Sequence, residues 1–162
     1  MRIGVIGFFV ASLAMAGSLV DKREAYHHIG KKVEGRWAVN EELSQHLWPD
    51  SIDKYTWSVI EFESNEGALA AFDAALDVVD DELPVYSAGK LNFKVNGRNM
   101  STDYALTHLN QADAILLLDP HNAGNAQSFQ ITMLKSKFSA RDMLIIGGDR
   151  FNEQMIVYKR EG

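Results

Sequence analysis

The chain has 162 residues, of which 46% are hydrophobic and 23% charged, and it carries a formal net charge of -6 with a pI near 5.3. This length is typical of one domain with its own hydrophobic core. The acidic balance argues against nonspecific nucleic-acid binding, which requires a basic surface to displace counterions from phosphates. Because the sequence contains no cysteine, disulfides, zinc–thiolate sites, iron–sulfur clusters and a cysteine nucleophile are excluded.

The opening residues 1–20 form an apolar segment with three interpretations. Residues 3–20 carry no charge and are followed at once by four charged residues. A basic start, an apolar middle and the small residues Ala14 and Ala16 are typical of a cleavable signal peptide, whereas the helical length of about 27 Å also suits a membrane anchor. The run RIGVIGFF equally suits a buried strand followed by a helix. The pattern favours export or membrane tethering, with a cytoplasmic location as the alternative.

Residues 21–162 are predicted to form a single mixed α/β domain. A first helix is expected to end near Lys32, and a turn follows at Gly35. A second helix is expected to begin after the N-cap Asn40 and to end before Pro49, because asparagine caps helix N-termini and proline cannot continue a helix.

The middle of the chain predicts a strand, a helix and a second strand. YTWSVIEFES is rich in β-branched and aromatic residues and predicts a strand. The next stretch predicts a helix capped by Ser64 or Asn65, with apolar residues on one face and Pro84 at its end. Alternation of lysine or asparagine with apolar residues over 90–95 predicts a strand with one buried and one wet face, followed by a tight turn at Asn96-Gly97.

The last third is predicted to alternate helices and strands. A short helix is expected from Thr102 to Asn110, and DAILLLD reads as a central strand. AQSFQITMLKSKF is interpreted as a helix with Phe129, Met133 and Leu134 facing inward, and DMLIIGG and EQMIVYK as two strands. This order predicts an α/β or α+β domain with helices packed on a mixed sheet.

The best candidate ligand site is the loop DPHNAGNAQ together with the sequence after DMLII. Helix N-termini and the carboxyl ends of parallel strands bind anions, and arginine holds a carboxylate or phosphate with two hydrogen bonds. A phosphate, nucleotide or carboxylate is the expected ligand. The candidate residues are Asp119, His121, Asn122, Gly124, Asn125, Gly147, Gly148, Asp149 and Arg150.

The alternative interpretation of these loops is that they are ordinary turns and helix caps, which have the same composition. No metal site is predicted, because the five histidines lack metal-ligand spacing, and no cofactor is predicted, because no complete glycine-rich dinucleotide or phosphate motif is present.

Two functions follow from these patterns. The favoured hypothesis is a non-catalytic interaction or assembly domain that binds a protein partner or a second copy of itself, exported or held at a membrane by residues 3–20. The alternative is a small α/β enzyme or ligand-binding protein that takes a small anionic ligand at the 119–125 and 147–150 loops. No catalytic residue is predicted.

Overall fold

Eight strands and three short helical segments make up the described parts of the chain. The computed structural model describes residues 30–76, 85–108, 113–122, 124–135, 142–147 and 155–162. The strands are β1 (Gly35–Val39), β2 (Trp57–Ser64), β3 (Val85–Val95), β4 (Arg98–His108), β5 (Asp113–Leu118), β6 (Gln127–Lys135), β7 (Asp142–Gly147) and β8 (Met155–Arg160). The helices are α1 (Glu41–Leu47) and α2 (Glu66–Leu76), and residues 30–33 are also helical.

The eight strands close into an antiparallel barrel. Each strand pairs with the next along the chain, and β1 pairs with β8 to complete the circle. The predicted α/β or α+β domain, with helices packed on a mixed sheet, is therefore wrong. Every pairing is antiparallel, so the barrel has no carboxyl edge of parallel strands at which a ligand could bind.

The barrel has two ends, which we call upper and lower. The upper end holds the β3–β4 turn, the loop between β5 and β6, and the end of β7. The lower end holds the start of β1, the end of β2 and the end of β8. The connection from β1 to β2, which contains α1, lies at the upper end, and the connection from β2 to β3, which contains α2, begins at the lower end.

The barrel interior is packed with apolar and aromatic side chains. Because successive side chains in a strand point to opposite faces, residues two apart along each strand point inward together. Trp57 contacts Phe93 and Phe129, with ring centroids 4.9 and 5.2 Å apart, and Phe62 meets Tyr104 edge to face at 5.3 Å. The fully buried interior residues include Trp37, Trp57, Ile60, Leu91, Leu106, Leu116, Leu144, Ile146, Ile156 and Tyr158.

The two helices pack against the outside of the barrel. Ala68 and Leu69 of α2 pack on a small outer cluster formed by Val85, Ala88 and Ala105. At the upper end, Ser44 of α1 is buried and its hydroxyl accepts a hydrogen bond of 2.9 Å from the backbone N–H of Val157. The hydroxyl thus pairs with a backbone N–H of β8 that lies just beyond the last residue pair of β1 and β8.

Two predicted helices are strands in the structure. The segment Thr102–Asn110 belongs to β4 as far as His108, and AQSFQITMLKSKF contains β6. In β6 the inward residues are Phe129, Ile131 and Met133, which recur every second position, and Leu134 is 40% exposed rather than inward. The period of two is that of a strand, and pairing with strands on both sides overrides the local helical pattern.

Other predicted elements are confirmed. Asn40 caps α1 by accepting a 3.1 Å hydrogen bond from the N–H of Leu43, and Asn65 caps α2 in the same way through Ala68. The turn at Asn96-Gly97 has positive φ at both residues, as a two-residue hairpin requires.

Residues 1–20 lie outside the described residues. Among the residues that the structure describes, no helix is long and apolar enough to cross a membrane.

Candidate functional site

The predicted ligand loop is a series of turns at the upper end of the barrel. The N–H of Asp119 donates to the carbonyl of Asp103 at 2.9 Å, and Asn122 donates to the carbonyl of Asp119 at 3.0 Å. Asn125 and Ala126 both donate to the carbonyl of Asn122 at 2.8 Å. The backbone amides of these residues are thus engaged within the protein.

One reason for expecting a ligand at this loop, a helix N-terminus after it, does not hold in the structure. The helix predicted to begin near Asn125 is β6 instead, so no helix N-terminus follows the loop. His121, Asn122, Gly124 and Asn125 are exposed, and Asp119 is half-buried with φ of +49°. Whether these side chains bind an anion remains a prediction.

The second predicted loop begins at the same end of the barrel. Gly147 ends β7 and pairs with Gln130 of β6, and Gln127 of β6 pairs with Leu118 at the start of the first loop. The start of the first loop and Gly147, the first residue of the second, therefore lie on either side of β6. Gly148, Asp149 and Arg150 lie outside the described residues.

A different surface, which sequence reasoning did not single out, is a groove on the outer side of β1–β4. The groove has a volume of about 420 Å³. It lies toward the upper end, whereas α2 covers the outer surface of β3 and β4 toward the lower end. We call its outward-facing residues the open face; they are Arg36, Val59, Glu61, Asn92, Lys94, Asn99 and Ser101.

The alternation of the strands positions the open face. Ile60, Phe62, Leu91 and Phe93 are buried inside the barrel, so the polar residues between them along β2 and β3 point outward. The sequence did indicate a wet face over 90–95. It held no local signal that this face would meet Glu61 of β2, because that contact depends on the pairing register.

Two charged residues of the open face have no ion pair within the part of the chain that the structure describes. Glu61 pairs in register with Asn92, and Lys94 lies two positions farther along the same strand, which places the two charges diagonally across β2 and β3. Among the residues that the structure describes, neither carboxylate nor ammonium forms a salt bridge or side-chain hydrogen bond. Lys94 is exposed and Glu61 is half-buried.

The remaining charges around the open face are already paired. Lys90 binds Asp103 at 2.7 Å, and Arg36 binds Glu161 at 2.5 Å. Glu63 accepts a hydrogen bond of 3.1 Å from the side chain of Asn92. These contacts involve neighbours of Glu61 and Lys94 and include neither of those two side chains.

A small crevice lies at the lower end between the helical turn at residues 30–33 and the start of α2. Its volume is about 50 Å³, enough for a water molecule. Behind it, the hydroxyls of Ser87 and Tyr104 lie 3.2 Å apart in a buried hydrogen bond. Burial, followed by the nearby charge of Glu34, raises the pKa of Tyr104 to about 12, although the bond to Ser87 opposes the rise.

The described part of the chain brings together no group of three histidine, aspartate or glutamate residues that could hold a metal ion. Comparison with protein families, with curated proteins and with solved structures finds no match to this chain. The site must therefore be interpreted from its own geometry.

Proposed function

We propose that this barrel is a non-catalytic interaction domain that binds a protein through the open face. One observation carries the proposal: a groove of about 420 Å³ on a four-stranded surface presents Glu61 and Lys94, whose charges form no ion pair among the described residues. Complementary charges of this kind confer specificity and register on protein interfaces.

The interior of the barrel supports a role for the outer surface. Eight-stranded barrels either fill with side chains or hold one small ligand, as in lipocalins. Trp37, Trp57 and Tyr158 are large and fully buried, which favours the filled type among the described residues. Architecture alone does not assign function, so the proposal rests on the exposed groups.

Site-specific photo-crosslinking tests the proposal. A photoreactive amino acid replaces Asn99 on the open face, and in a matched control it replaces Gln130, an exposed residue on the outer side of β6. After irradiation in the native cells, the proposal expects one defined protein cross-linked at position 99 and not at 130. Equal labelling at both positions, or none at position 99, would contradict it.

A second candidate function is binding of a small anion at the upper end, which is supported by the positions of Leu118 and Gly147 on either side of β6. A thermal-shift titration with inorganic phosphate tests it, using Asp119→Ala and Arg150→Ala as variants. Stabilisation of the unchanged chain that both variants lose would support this function, and no stabilisation would reject it.

Residues 1–20 are proposed to export or tether this domain. The intact mass of the protein in soluble and membrane fractions tests this directly. Loss of about sixteen residues would support export, and full length in the membrane fraction would support tethering. Full-length protein in the soluble cytoplasmic fraction would contradict both.

A further inference from the structure

The partner of the open face is, we propose, a second copy of this chain, arranged as a two-fold dimer in which Lys94 of each copy pairs with Glu61 of the other. This inference rests on the proposed function and names the partner. A two-fold interface requires a surface that is complementary to itself, so that residue i meets residue j and j meets i. A cation and an anion on one face, neither of them in an ion pair with another described residue, satisfy this condition.

The geometry of the two residues fits such pairing. Lys94 lies on β3 two positions from the register partner of Glu61, and diagonal neighbours across antiparallel strands are about 7–8 Å apart. A two-fold axis through the midpoint of this diagonal brings each lysine onto the opposite glutamate and forms two ion pairs at once. Asn92 and Asn99 flank the pairs with amide donors and acceptors.

The charge of the surface also favours a second copy. The whole chain has a net charge of -6, so most contacts between two copies are repulsive. The outward-facing residues of β1–β4 are balanced instead, with three basic side chains, Arg36, Lys90 and Lys94, against three acidic ones, Glu61, Glu63 and Asp103. Association through this surface therefore avoids the repulsion that the rest of the chain imposes.

The size of the surface predicts a weak dimer. Four strands about 4.8 Å apart and about seven residues long form a face of roughly 19 by 23 Å, or about 900 Å² for two copies. This lies below the roughly 1,000 Å² expected of a stable interface and is in the range of weak, transient complexes. We therefore expect dissociation in the micromolar range and a clear loss of affinity at high salt, because exposed ion pairs are screened.

Charge exchange between the two positions tests the dimer. Sedimentation equilibrium of the full chain, from about 1 μM to about 1 mM, is compared for the unchanged protein, Lys94→Glu, Glu61→Lys and the double exchange. Each single variant creates two like-charge contacts and is expected to weaken dimerisation by about tenfold or more. The double exchange restores both pairs and is expected to return the affinity of the unchanged chain.

A matched control keeps the test specific. Lys54→Glu makes the same charge change in the α1–β2 connection, at a residue that lies beside Tyr55 and does not line the groove, and is expected to leave dimerisation unchanged. Circular dichroism of every variant verifies that the barrel is folded. A chain that stays monomeric at all these concentrations, a dimer that neither single variant weakens, or a double exchange that fails to recover would each overturn the proposal.

Failure of the dimer is distinguishable from failure of the proposed function. If the chain is monomeric while the photoreactive group at position 99 labels a different protein, the open face is an interaction surface and the second copy is rejected. If the chain is monomeric and position 99 labels nothing, both are rejected.

Discussion

The guanidinium of Arg160 lies 4.2 Å from the ring centre of Trp37 at the lower end of the barrel. Its Nη1 donates a hydrogen bond of 2.6 Å to the carbonyl of Glu34, and its Nη2 donates to the carbonyl of Lys32. The indole N–H of Trp37 donates to the carbonyl of Val33 at 2.8 Å. One arginine and one tryptophan thus hold the helical turn before β1 over the end of the barrel.

Replacing Arg160 tests this closure. We expect Arg160→Ala to lower the free energy of unfolding by about 2 kcal/mol, because it removes a cation–π contact and two charge-assisted hydrogen bonds. Arg160→Lys is expected to recover only part of the loss, since one ammonium lacks the planar fork that reaches both carbonyls. Urea unfolding measures both variants. Lys159→Ala, at the exposed neighbouring position, is the control, and an equal loss there would contradict the assignment.

Removing the hydroxyl of Tyr158 is not expected to lower the free energy of unfolding, in contrast to replacing Arg160. This side chain is fully buried in the barrel interior, and its hydroxyl has no hydrogen-bond partner among the described residues. Burial raises the pKa of Tyr158 above its ordinary range. Because an unpaired buried hydroxyl costs about 1–3 kcal/mol, Tyr158→Phe is expected to leave stability unchanged or to raise it, as measured by thermal unfolding.

Tyr104→Phe is the matched comparison. It removes the 3.2 Å bond to Ser87 and leaves that buried hydroxyl without this partner, so we expect a loss of about 1 kcal/mol. If Tyr158→Phe were the more damaging of the two, the hydroxyl of Tyr158 would have an important partner in solution.

Gly89 is expected to tolerate no side chain. A Cβ at this position would overlap the backbone carbonyl of Glu63 on the neighbouring strand, and a backbone atom cannot move aside without breaking the β2–β3 pairing. Gly89→Ala is expected to cost about 3 kcal/mol or more. Gly97→Ala is the control, because nothing lies within 4 Å of its Cβ and only the φ of +76° is unfavourable, at about 1 kcal/mol.

Stability is expected to fall at alkaline pH. Burial raises the pKa of Tyr104 to about 12, whereas a tyrosine in the unfolded chain ionises near 10. Between these values the unfolded chain loses a proton that the folded chain retains, so the free energy of unfolding decreases as pH rises from about 10 to about 12. Urea unfolding at successive pH values measures the decrease. Tyr104→Phe should show a smaller one, and an identical decrease would contradict this cause.

The sequence predicted local features better than global ones. The caps Asn40 and Asn65 and the Asn96-Gly97 turn depend on neighbouring residues alone, and each was located correctly. Residues 102–110 and the segment around Phe129 were assigned to helices because an apolar residue at every second position can also fall near a helical face over a short stretch. These segments form strands because each pairs with a neighbouring strand on both sides. The local sequence pattern does not include those neighbouring strands.

The residues of the candidate site were also predictable only where their position depends on the local sequence. The polar side chains over 90–95 were predicted to face water, which placed Lys94 at a surface. Its relation to Glu61 depends on the bulge between Trp57 and Val59, where the register of β2 against β3 shifts. Anion binding at the 119–125 loop remains a prediction, and one of its arguments depended on a helix that the closed barrel replaces with β6.

The pairing of β1 with β8 is unlike the other seven. Those seven join strands that follow one another along the chain, whereas Trp37 pairs with Arg160 across nearly the whole sequence. Only three residues of β1 pair with β8, fewer than in any of the other seven pairings. We therefore expect thermal fluctuations to separate β1 from β8 before the other paired strands. The contact between Arg160 and Trp37 joins these two strands and opposes their separation.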